Sequence, residues 1–213
     1  MSLEFMVPFY GDPALLKETV ASVQAQTDGD WRLTVVDDGY PDDSIPGWFA
    51  ALGDDRVRYL RNETNLGANK NYEKCLALAT ADDVTVLGAD DLLRPNYVAV
   101  VRAARSRFPA AAVLQPGVEV IDEHGRPARS LADLVKRVYA PRPAGPVELR
   151  GEDVAASLLT GNWLYFPALC FSVAAVRRKG FREGLNVVQD LALVLDLLMS
   201  GESLVVDPTV CFA

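Results

Sequence analysis

Apolar and polar positions alternate along the first 121 residues so that strands and helices are predicted in turn. Short apolar runs predict buried strands at 5–9, 33–36, 57–60, 84–87, 111–114 and 118–121. Between them, apolar residues recur three or four positions apart, as at Leu16, Val20 and Val23, which predicts a buried helix face. Strands that alternate with helices predict an α/β fold, here a mostly parallel sheet flanked by helices in a single domain.

The pattern is weaker in the second part of the chain. Residues 152–159 are typical of a helix, and Asp190 is predicted to cap an apolar helix over 191–199 that stops at Gly201. Residues 203–206 and 210–212 are also strand-like. Between Gly125 and Arg150 prolines interrupt any long element, and six basic residues stand against two acidic ones. This segment is either a solvated surface excursion or a flexible loop that faces an anionic substrate.

Composition and charge narrow the class of protein. The chain has 213 residues, of which 50% are hydrophobic and 23% charged, as in globular proteins. A formal charge of −8 argues against nucleic acid as a partner, because an acidic chain gains nothing from counterion release. An anionic ligand would need a cation or backbone N–H groups to hold it.

Cysteine usage and the lack of a targeting signal predict a cytoplasmic protein. Three cysteines without metal-ligand spacing favour buried thiols in a reducing compartment, with Cys75 on an apolar helix face. The N-terminus lacks the pattern of a signal peptide. No apolar run approaches the roughly 18 residues that span a bilayer. Contact with the inner face of the membrane stays open.

Polar residues follow three of the predicted strands, at Tyr10, Asp37-Asp38 and Asp90-Asp91. Ligands of open α/β sheets bind outside the carboxyl ends of the strands, so these residues are expected to converge on one crevice. The pair Asp90-Asp91 suits Mg²⁺ or Mn²⁺, whose remaining sites phosphate oxygens and water would fill. The alternative is that both are turn and cap residues.

Other chemistries fit less well. Asp37-Asp38-Gly39 lacks the Asp-x-Asp-Gly spacing of haloacid-dehalogenase phosphatases, and a receiver domain would place its acidic pair after the first strand. His124, the only histidine, lies in a turn-like stretch and is expected at the surface, so no Ser-His-Asp set is credible. Asp190, at the start of an apolar helix, is placed to act as a general base.

Five segments, in order, resemble the inverting family-2 glycosyltransferases, which have the GT-A nucleotide-sugar fold. They are VPFYG at 7–11, SVQAQT at 22–27 followed by WRLTVVDDG at 31–39, NLGANKN at 65–71, LGADDLLRP at 87–95 and QD at 189–190. The resemblance spans about residues 5 to 207. Gly11 stands where the family usually has Asn, and two further departures matter more: Gly88 replaces the first Asp of the metal motif, and Gln189 replaces the commoner Glu beside the base.

The resemblance implies a role for each matching residue on the nucleotide side. Pro8 and Tyr10 would belong to the nucleotide-sugar site, with Tyr10 against the base. Asp38, together with Asp37, would accept a hydrogen bond from a base N–H, usually that of uracil. Lys70 would lie near the base or the phosphates.

It also implies the catalytic roles. Asp90 would ligate the Mn²⁺ or Mg²⁺ that bridges the donor diphosphate, with Asp91 supporting it. Asp190 would remove the proton from the acceptor hydroxyl in a single, inverting displacement.

The expected activity is metal-dependent transfer of a sugar from a nucleotide-sugar donor, UDP-linked in most of the family, to a glycan or lipid-linked acceptor. Residues 1–121 are expected to form the donor half and 122–213 the acceptor half. A non-catalytic nucleotide-sugar-binding domain is one alternative, which Gly88 and Gln189 keep open. A sugar nucleotidyltransferase is the other, although residues 7–12 lack its Gly-rich basic loop.

Overall fold

The structure is a computed structural model that describes residues 2–122, 124–128, 131–182, 184–185 and 187–213, with the backbone alone described for Leu131, Ala132 and Arg137. The described strands β1 to β8 are Leu3–Phe9, Trp31–Asp37, Val57–Arg61, Asp83–Val86, Val113–Val118, Val147–Arg150, Cys170–Ser172 and Ser203–Phe212. The described helices α1 to α8 are Pro13–Gln24, Ser44–Ala51, Ala68–Leu78, Tyr97–Arg107, Leu131–Tyr139, Glu152–Gly161, Val173–Lys179 and Gln189–Met199, and Phe166–Ala168 is a 3-10 turn.

All eight strands belong to one sheet, in the order β3-β2-β1-β4-β7-β5-β8-β6. β3, β2, β1 and β4 are mutually parallel, and β5 is parallel to β8. β7 and β6 run antiparallel to their neighbours. The predicted α/β architecture with a mostly parallel sheet is confirmed.

Alternation along the strands builds two cores, one on each face of the sheet. In β1, Phe5, Val7 and Phe9 pack into one core with α1 and α4, whereas Met6 packs into the other with α3, α6 and α8. Successive side chains of a strand point to opposite faces, so a strand covered on both faces must be apolar at both sets of positions. This is why β1 reads as a continuous apolar run.

The first helix begins where its capping residues predict. Asp12 Oδ1 accepts a hydrogen bond of 2.7 Å from the Ala14 N–H, and Pro13 is the first helical residue. Leu16, Val20 and Val23 are buried, as their spacing predicts. The start of α1 lies just beyond β1 and so orients Tyr10 at that strand's end.

One prediction about the later strands is wrong. Residues 118–121 form no separate strand, because β5 ends at Val118 and only Ile121 bridges to Pro127. Residues 203–206 and 210–212 are strand, as predicted, and both belong to β8, whose register against β5 shifts between Gln115 and Gly117. A Cβ on Gly117 would overlap the backbone at Pro208 and Thr209, so glycine allows the close approach that keeps β8 continuous there.

The segment 124–150, where prolines were expected to interrupt any long element, contains the nine-residue helix α5 and the four-residue strand β6. Helix α5 exposes Leu134, Val135 and Val138, whereas Asp133 is buried and Lys136 half-buried. Its polar side faces the protein, so the apolar periodicity of the sequence would assign the wrong face of this helix to the core. Of the six basic residues counted here, Arg129 and the Arg137 side chain lie outside the described residues.

The prediction that Asp190 caps a helix is wrong as well. Val188 occupies the N-cap position of α8, and Asp190 is the second residue of the helix. Val188 has φ 53 and ψ 27, a left-handed conformation that is rare for a β-branched residue. The strain falls directly before Gln189 and Asp190, as is common at functional sites.

Single-residue expectations fare better. The three cysteines are buried free thiols, and His124 is exposed. Among the described helices, none combines the length and apolar character needed to cross a bilayer.

Candidate active site

Tyr10, Asp37-Asp38 and Asp90-Asp91 lie at one edge of the sheet. They follow β1, β2 and β4, which are neighbouring parallel strands. The carboxyl ends of parallel strands meet at the same edge, where α/β proteins bind ligands. The structure therefore brings these residues to a common edge, although they differ in exposure.

Tyr10 is the open part of this edge, with 57% of its surface exposed. Its ring packs edge-on against Tyr40 at a centroid distance of 5.4 Å, and Tyr40 in turn contacts Phe9 at 5.3 Å. An exposed aromatic ring backed by a second ring offers a flat face on which a planar group can stack.

Asp37 and Asp38 are buried beneath this aromatic surface, with exposures of 0% and 2%. Asp37 accepts hydrogen bonds from the Tyr40 N–H at 2.7 Å and from the Tyr59 hydroxyl. Asp38 Oδ1 accepts from Asn62 Nδ2 at 2.7 Å and from the Leu66 N–H at 2.8 Å, and Oδ2 accepts from the Gly67 N–H at 2.9 Å. Both carboxylates therefore hold the loops that frame the edge.

The loop that Asp38 holds leads into α3, which carries two lysines. Lys74 Nζ donates to Asn62 Oδ1 at 2.7 Å and so belongs to the loop's own network. Lys70 is exposed, and its side chain makes no hydrogen bond or ion pair within the part of the chain that the structure describes. Lys70 is therefore available to an anion that approaches this edge.

Asp90 and Asp91 follow β4 in a turn that packs against α1. The Asp91 carbonyl accepts a hydrogen bond from Thr19 Oγ1 at 2.9 Å, and the Asp91 N–H donates to the Gly88 carbonyl at 3.3 Å. Burial, and then the adjacent charge of Asp90, raise the pKa of the Asp91 carboxyl from 3.8 to about 7. A second negative charge beside Asp90 is therefore disfavoured in this turn.

This pair fits a divalent cation that is completed by its substrate. No group of three or more His, Cys, Asp or Glu side chains suited to a metal ion exists among the described residues. A dedicated all-protein metal cage is therefore not formed by them. Mg²⁺ and Mn²⁺ are commonly held by one or two carboxylates together with phosphate oxygens, and adjacent, mutually repelling carboxylates are a suitable donor set.

Asp190 reaches the same region from the start of α8. Next to it, Gln189 Nε2 donates to Asn69 Oδ1 at 3.0 Å, which ties α8 to the first turn of α3. A glutamate at 189 lacks the N–H for this bond. The Asp190 carboxylate itself makes no hydrogen bond with the described residues and is half-buried.

Tyr72 lies on α3, the helix to which Gln189 ties the start of α8. Burial, followed by nearby acidic groups that include Asp91, Asp90 and Asp190, raises the pKa of the Tyr72 hydroxyl to about 12. The Tyr72 ring packs against Phe166 at 5.9 Å, which fixes it in the second core.

The residues that sequence reasoning missed come from α5 and from the segment before the 3-10 turn. Tyr165 donates its hydroxyl hydrogen bond to Asp133 Oδ1 at 3.0 Å. Lys136 Nζ lies 3.9 Å from the centre of the Tyr165 ring and donates to the Leu164 carbonyl at 2.6 Å. Burial lowers the pKa of Lys136, opposed by the charges of Asp133 and Asp190. No sequence pattern signals this set, because its members are 28 to 32 positions apart.

A pocket of about 600 Å³ joins the missed residues to the predicted carboxylates. It is lined by Asp90, Asp91, Val118, Glu119, Val120, Ile121, Ala128, Asp133, Tyr165, Pro167, Phe212 and Ala213. A second pocket of about 900 Å³ shares Asp133 and Tyr165 and extends past Leu134, Val138 and Arg142. The metal-binding candidates therefore open onto a cleft of ligand size.

Comparison with solved structures agrees with the fold. The whole chain superimposes on 60% of the crystal structure of S. aureus TarS 1–349, with a TM-score of 0.74 at 17% identity. It also covers 58% of the TarS 1–349 structure in complex with UDP-GlcNAc, with a TM-score of 0.76 at 16% identity. At this identity the likeness establishes the fold alone.

Comparison with known sequences identifies the family. The chain is 30% identical to the uncharacterised protein y4gI of Sinorhizobium fredii over 198 residues, which cover 91% of this chain and 20% of that protein. It is also 30% identical to the putative glycosyltransferase EpsE of Bacillus subtilis over 128 residues, which cover 59% of this chain and 46% of that protein. The chain thus spans less than half the length of these relatives. The family described as Glycosyl transferase family 2 matches residues 5–166, and the chain belongs to this family.

Proposed function

We propose that this chain carries the donor-binding and catalytic part of a metal-dependent, inverting glycosyltransferase that acts on a UDP-sugar. The acceptor is a hydroxyl group of a glycan or of a lipid-linked glycan. The observation that carries the proposal is the position of Tyr10, Asp37-Asp38 and Asp90-Asp91 after the neighbouring parallel strands β1, β2 and β4, at one edge of the sheet. Gln189 ties the start of α8, which carries Asp190, to the first turn of α3. A leaving-group site and a proton acceptor must lie close together for one displacement to use both.

The nucleotide is assigned to the edge at the ends of β1 and β2. Tyr10 provides the exposed face for the base, and Pro8 of the preceding strand β1 lies two residues before it. Asp37 and Asp38 form the floor, where they hold the Tyr40 backbone and the loop at 62–67. Lys70 pairs with the phosphates. The TarS complexes with UDP and UDP-GlcNAc support a uridine nucleotide.

Asp90, supported by Asp91, would hold the Mn²⁺ or Mg²⁺, and the bound cation would supply positive charge to neutralise the departing nucleoside diphosphate. Asp190 accepts the proton of the acceptor hydroxyl while the oxygen of that hydroxyl attacks the anomeric carbon. The bond from that carbon to the diphosphate oxygen breaks as the new bond forms, so the configuration inverts and no covalent enzyme intermediate arises.

A thermal-shift titration tests the donor site. UDP and GDP are each added with and without Mn²⁺ to the wild type, to Asp90→Ala and to the control Asp55→Ala, an exposed aspartate outside the site. A ligand at about 100 times its Kd adds about 2.7 kcal/mol to stability. We expect a Mn²⁺-dependent rise with UDP in the wild type and the control, and none in Asp90→Ala.

Absence of a rise with both nucleotides in the folded wild type would contradict the proposal. A rise with UDP, followed by no sugar transfer and no donor hydrolysis, would favour a non-catalytic nucleotide-sugar-binding domain. That alternative is based on Gly88 and Gln189, which replace acidic residues that are usual in the family.

A further inference from the structure

Polar side chains of α1 and of the turn after it hold the segment that begins at the Asp90-Asp91 pair. Thr19 Oγ1 donates a hydrogen bond of 2.9 Å to the carbonyl of Asp91 itself. Ser22 Oγ accepts a hydrogen bond of 3.1 Å from the Leu93 N–H. Thr19 and Ser22 are three positions apart on α1 and therefore lie on the same side of the helix. The backbone that carries the two carboxylates is thus bound to α1 at its second residue and again two residues later.

Gln26 extends this contact to the start of α4. Its Nε2 donates to the Arg94 carbonyl at 2.8 Å, and its Oε1 accepts from the Val98 N–H at 3.0 Å. The side chain is only 8% exposed, so both bonds are largely shielded from water. An amide can donate to a carbonyl and accept from an N–H at the same time, which is what these two backbone groups require. Gln26 therefore fixes the stretch of chain between the carboxylates and α4.

The opposite side of the same segment pairs with the end of β8. The N–H and the carbonyl of Leu92 bond to the carbonyl and the N–H of Ala213 at 2.7 and 2.8 Å. The Arg94 N–H donates to the Cys211 carbonyl at 2.9 Å. Residues 92–94 therefore lie between β8 and α1. Buried backbone groups need hydrogen-bond partners, and on the α1 side the polar side chains supply those that a neighbouring strand would supply.

Helix α1 also begins next to the other part of the proposed nucleotide site. Its N-cap residue Asp12 comes two residues after Tyr10. A single helix thus connects the strand end that carries Tyr10 to the backbone of Asp91. If the base lies on Tyr10 and the diphosphate at the cation, the attachment of the turn to α1 sets the spacing between the two. Displacements of about 1 Å are enough to impair sites of this kind.

We infer that Thr19, Ser22 and Gln26 are positioning residues, which hold the Asp90-Asp91 carboxylates in register with the nucleotide-binding edge. This inference rests on the proposed function and adds residues that act on it through the backbone of the turn. A residue that only stabilises the fold changes the free energy of unfolding. A positioning residue also changes the factor by which the cation strengthens the binding of UDP.

Calorimetric titration with UDP, in the presence and in the absence of Mn²⁺, tests the inference. Thr19→Val keeps the shape of a fully buried side chain and removes its hydroxyl, and Ser22→Ala removes the acceptor of the Leu93 N–H. We expect each change to weaken UDP binding in Mn²⁺ by about three- to tenfold and to leave metal-free binding unchanged. Thr19→Ser keeps the hydroxyl and should bind UDP in Mn²⁺ as the wild type does.

Thr34→Val on β2 is the matched control. Thr34 is 5% exposed, and its hydroxyl donates to Glu4 Oε1 at 3.4 Å, so the change removes a buried hydroxyl that does not contact the turn. Amide hydrogen exchange in the metal-free protein gives a second readout. The Leu93 N–H should exchange faster in Ser22→Ala than in the wild type, and at the wild-type rate in Thr34→Val. Ser22 is half-buried, so Ser22→Ala serves the test even if Thr19→Val does not fold.

A wild type whose affinity for UDP does not rise with Mn²⁺ contradicts the proposed function itself. A wild type with Mn²⁺-dependent binding, together with Thr19→Val and Ser22→Ala proteins that retain it in full, overturns the inference alone. An equal loss in Thr34→Val also overturns it, because the effect would then follow stability. The same holds if Thr19→Ser binds as weakly as Thr19→Val, because the hydroxyl would then not be responsible.

Discussion

The carboxylate of Asp91 lies over Gly88, so closely that a Cβ on residue 88 would overlap Asp91 Oδ2. The first Asp of the family's metal motif would begin its side chain at this point. Asp91 therefore occupies, from three residues later, the space that the missing carboxylate would use. The departure at Gly88 changes which residue supplies a second carboxylate and does not remove it from the site.

Gly88→Ala is expected to displace the Asp91 carboxylate and to weaken Mn²⁺-dependent binding of UDP by about tenfold, equivalent to about 1.4 kcal/mol. Titration calorimetry with and without Mn²⁺ measures this. Gly11→Ala is the matched control, because a Cβ there meets nothing within 4 Å although the residue follows Tyr10. Unchanged Mn²⁺-dependent affinity in Gly88→Ala would show that the Asp91 position does not matter for the cation.

Asp190→Asn is expected to lower kcat by about 10² to 10⁴, because the amide cannot accept the hydroxyl proton. Affinity for UDP should stay the same, since the amide has nearly the shape of the carboxylate. Donor turnover and UDP binding are measured side by side. The control Asp153→Asn changes the second residue of α6, an exposed aspartate at the equivalent helix position. If Asp190→Asn retains full turnover, the proton is accepted elsewhere.

Gly161→Ala is expected to lower the free energy of unfolding by about 1–3 kcal/mol, the usual effect of overpacking. A Cβ at residue 161 would overlap the ring of Tyr139, where α6 meets α5. Urea unfolding measures the loss. Gly47→Ala in α2 is the control, because open space surrounds it and helix propensity favours alanine by about 0.5–1 kcal/mol.

We expect Asp54 to contribute to the free energy of unfolding in a way that is lost in acid. Its carboxylate accepts from Arg56 Nε and Nη2 at 3.0 and 2.8 Å and from Gln24 Nε2 at 3.1 Å, which links α1 to the turn before β3. The bonds from Arg56 hold the pKa of Asp54 well below its usual value of 3.8. A lowered folded-state pKa stabilises the protein above pH 3.8, and the contribution is lost as the pH falls below that value.

The expected size is about 1 kcal/mol, because the Arg56 side chain is 40% exposed and solvent screens the pair. Urea unfolding at pH 7, 4 and 3 measures it in the wild type and in Asp54→Asn. The difference between the two proteins should shrink as the pH falls from 4 to 3. A difference that stays constant with pH would mean that the contribution of Asp54 is not ionic.

Local signals in the sequence were sufficient for the donor side of the fold. Asp12 and Pro13 start α1 as predicted, and the apolar run of β1 reflects burial on both faces. These features depend on neighbours within a few residues, or on a core that covers a whole element. The order of the motifs around them predicted Asp90 as a metal ligand and Asp190 as a general base.

The opposite wall of the pocket was hidden from the sequence. Helix α5 turns Asp133 and Lys136 inward and Leu134 and Val138 outward, so its periodicity indicates the wrong face. Strand β7 has only three residues, and it pairs antiparallel with β4 and β5. A run that short has no distinctive pattern of its own and is stabilised by its two neighbours.

The sequence by itself thus determined the α/β alternation, the strand ends that carry Tyr10 and Asp90, and the family. Periodicity and capping are local properties that each segment expresses alone. Tertiary structure decided that Asp91 lies over Gly88 and that Tyr165 holds Asp133 in the pocket. These relationships depend on side-chain packing, in the second case between segments some 30 residues apart along the chain. Packing of that kind is set by the whole sheet and its helices together, so no single segment records it.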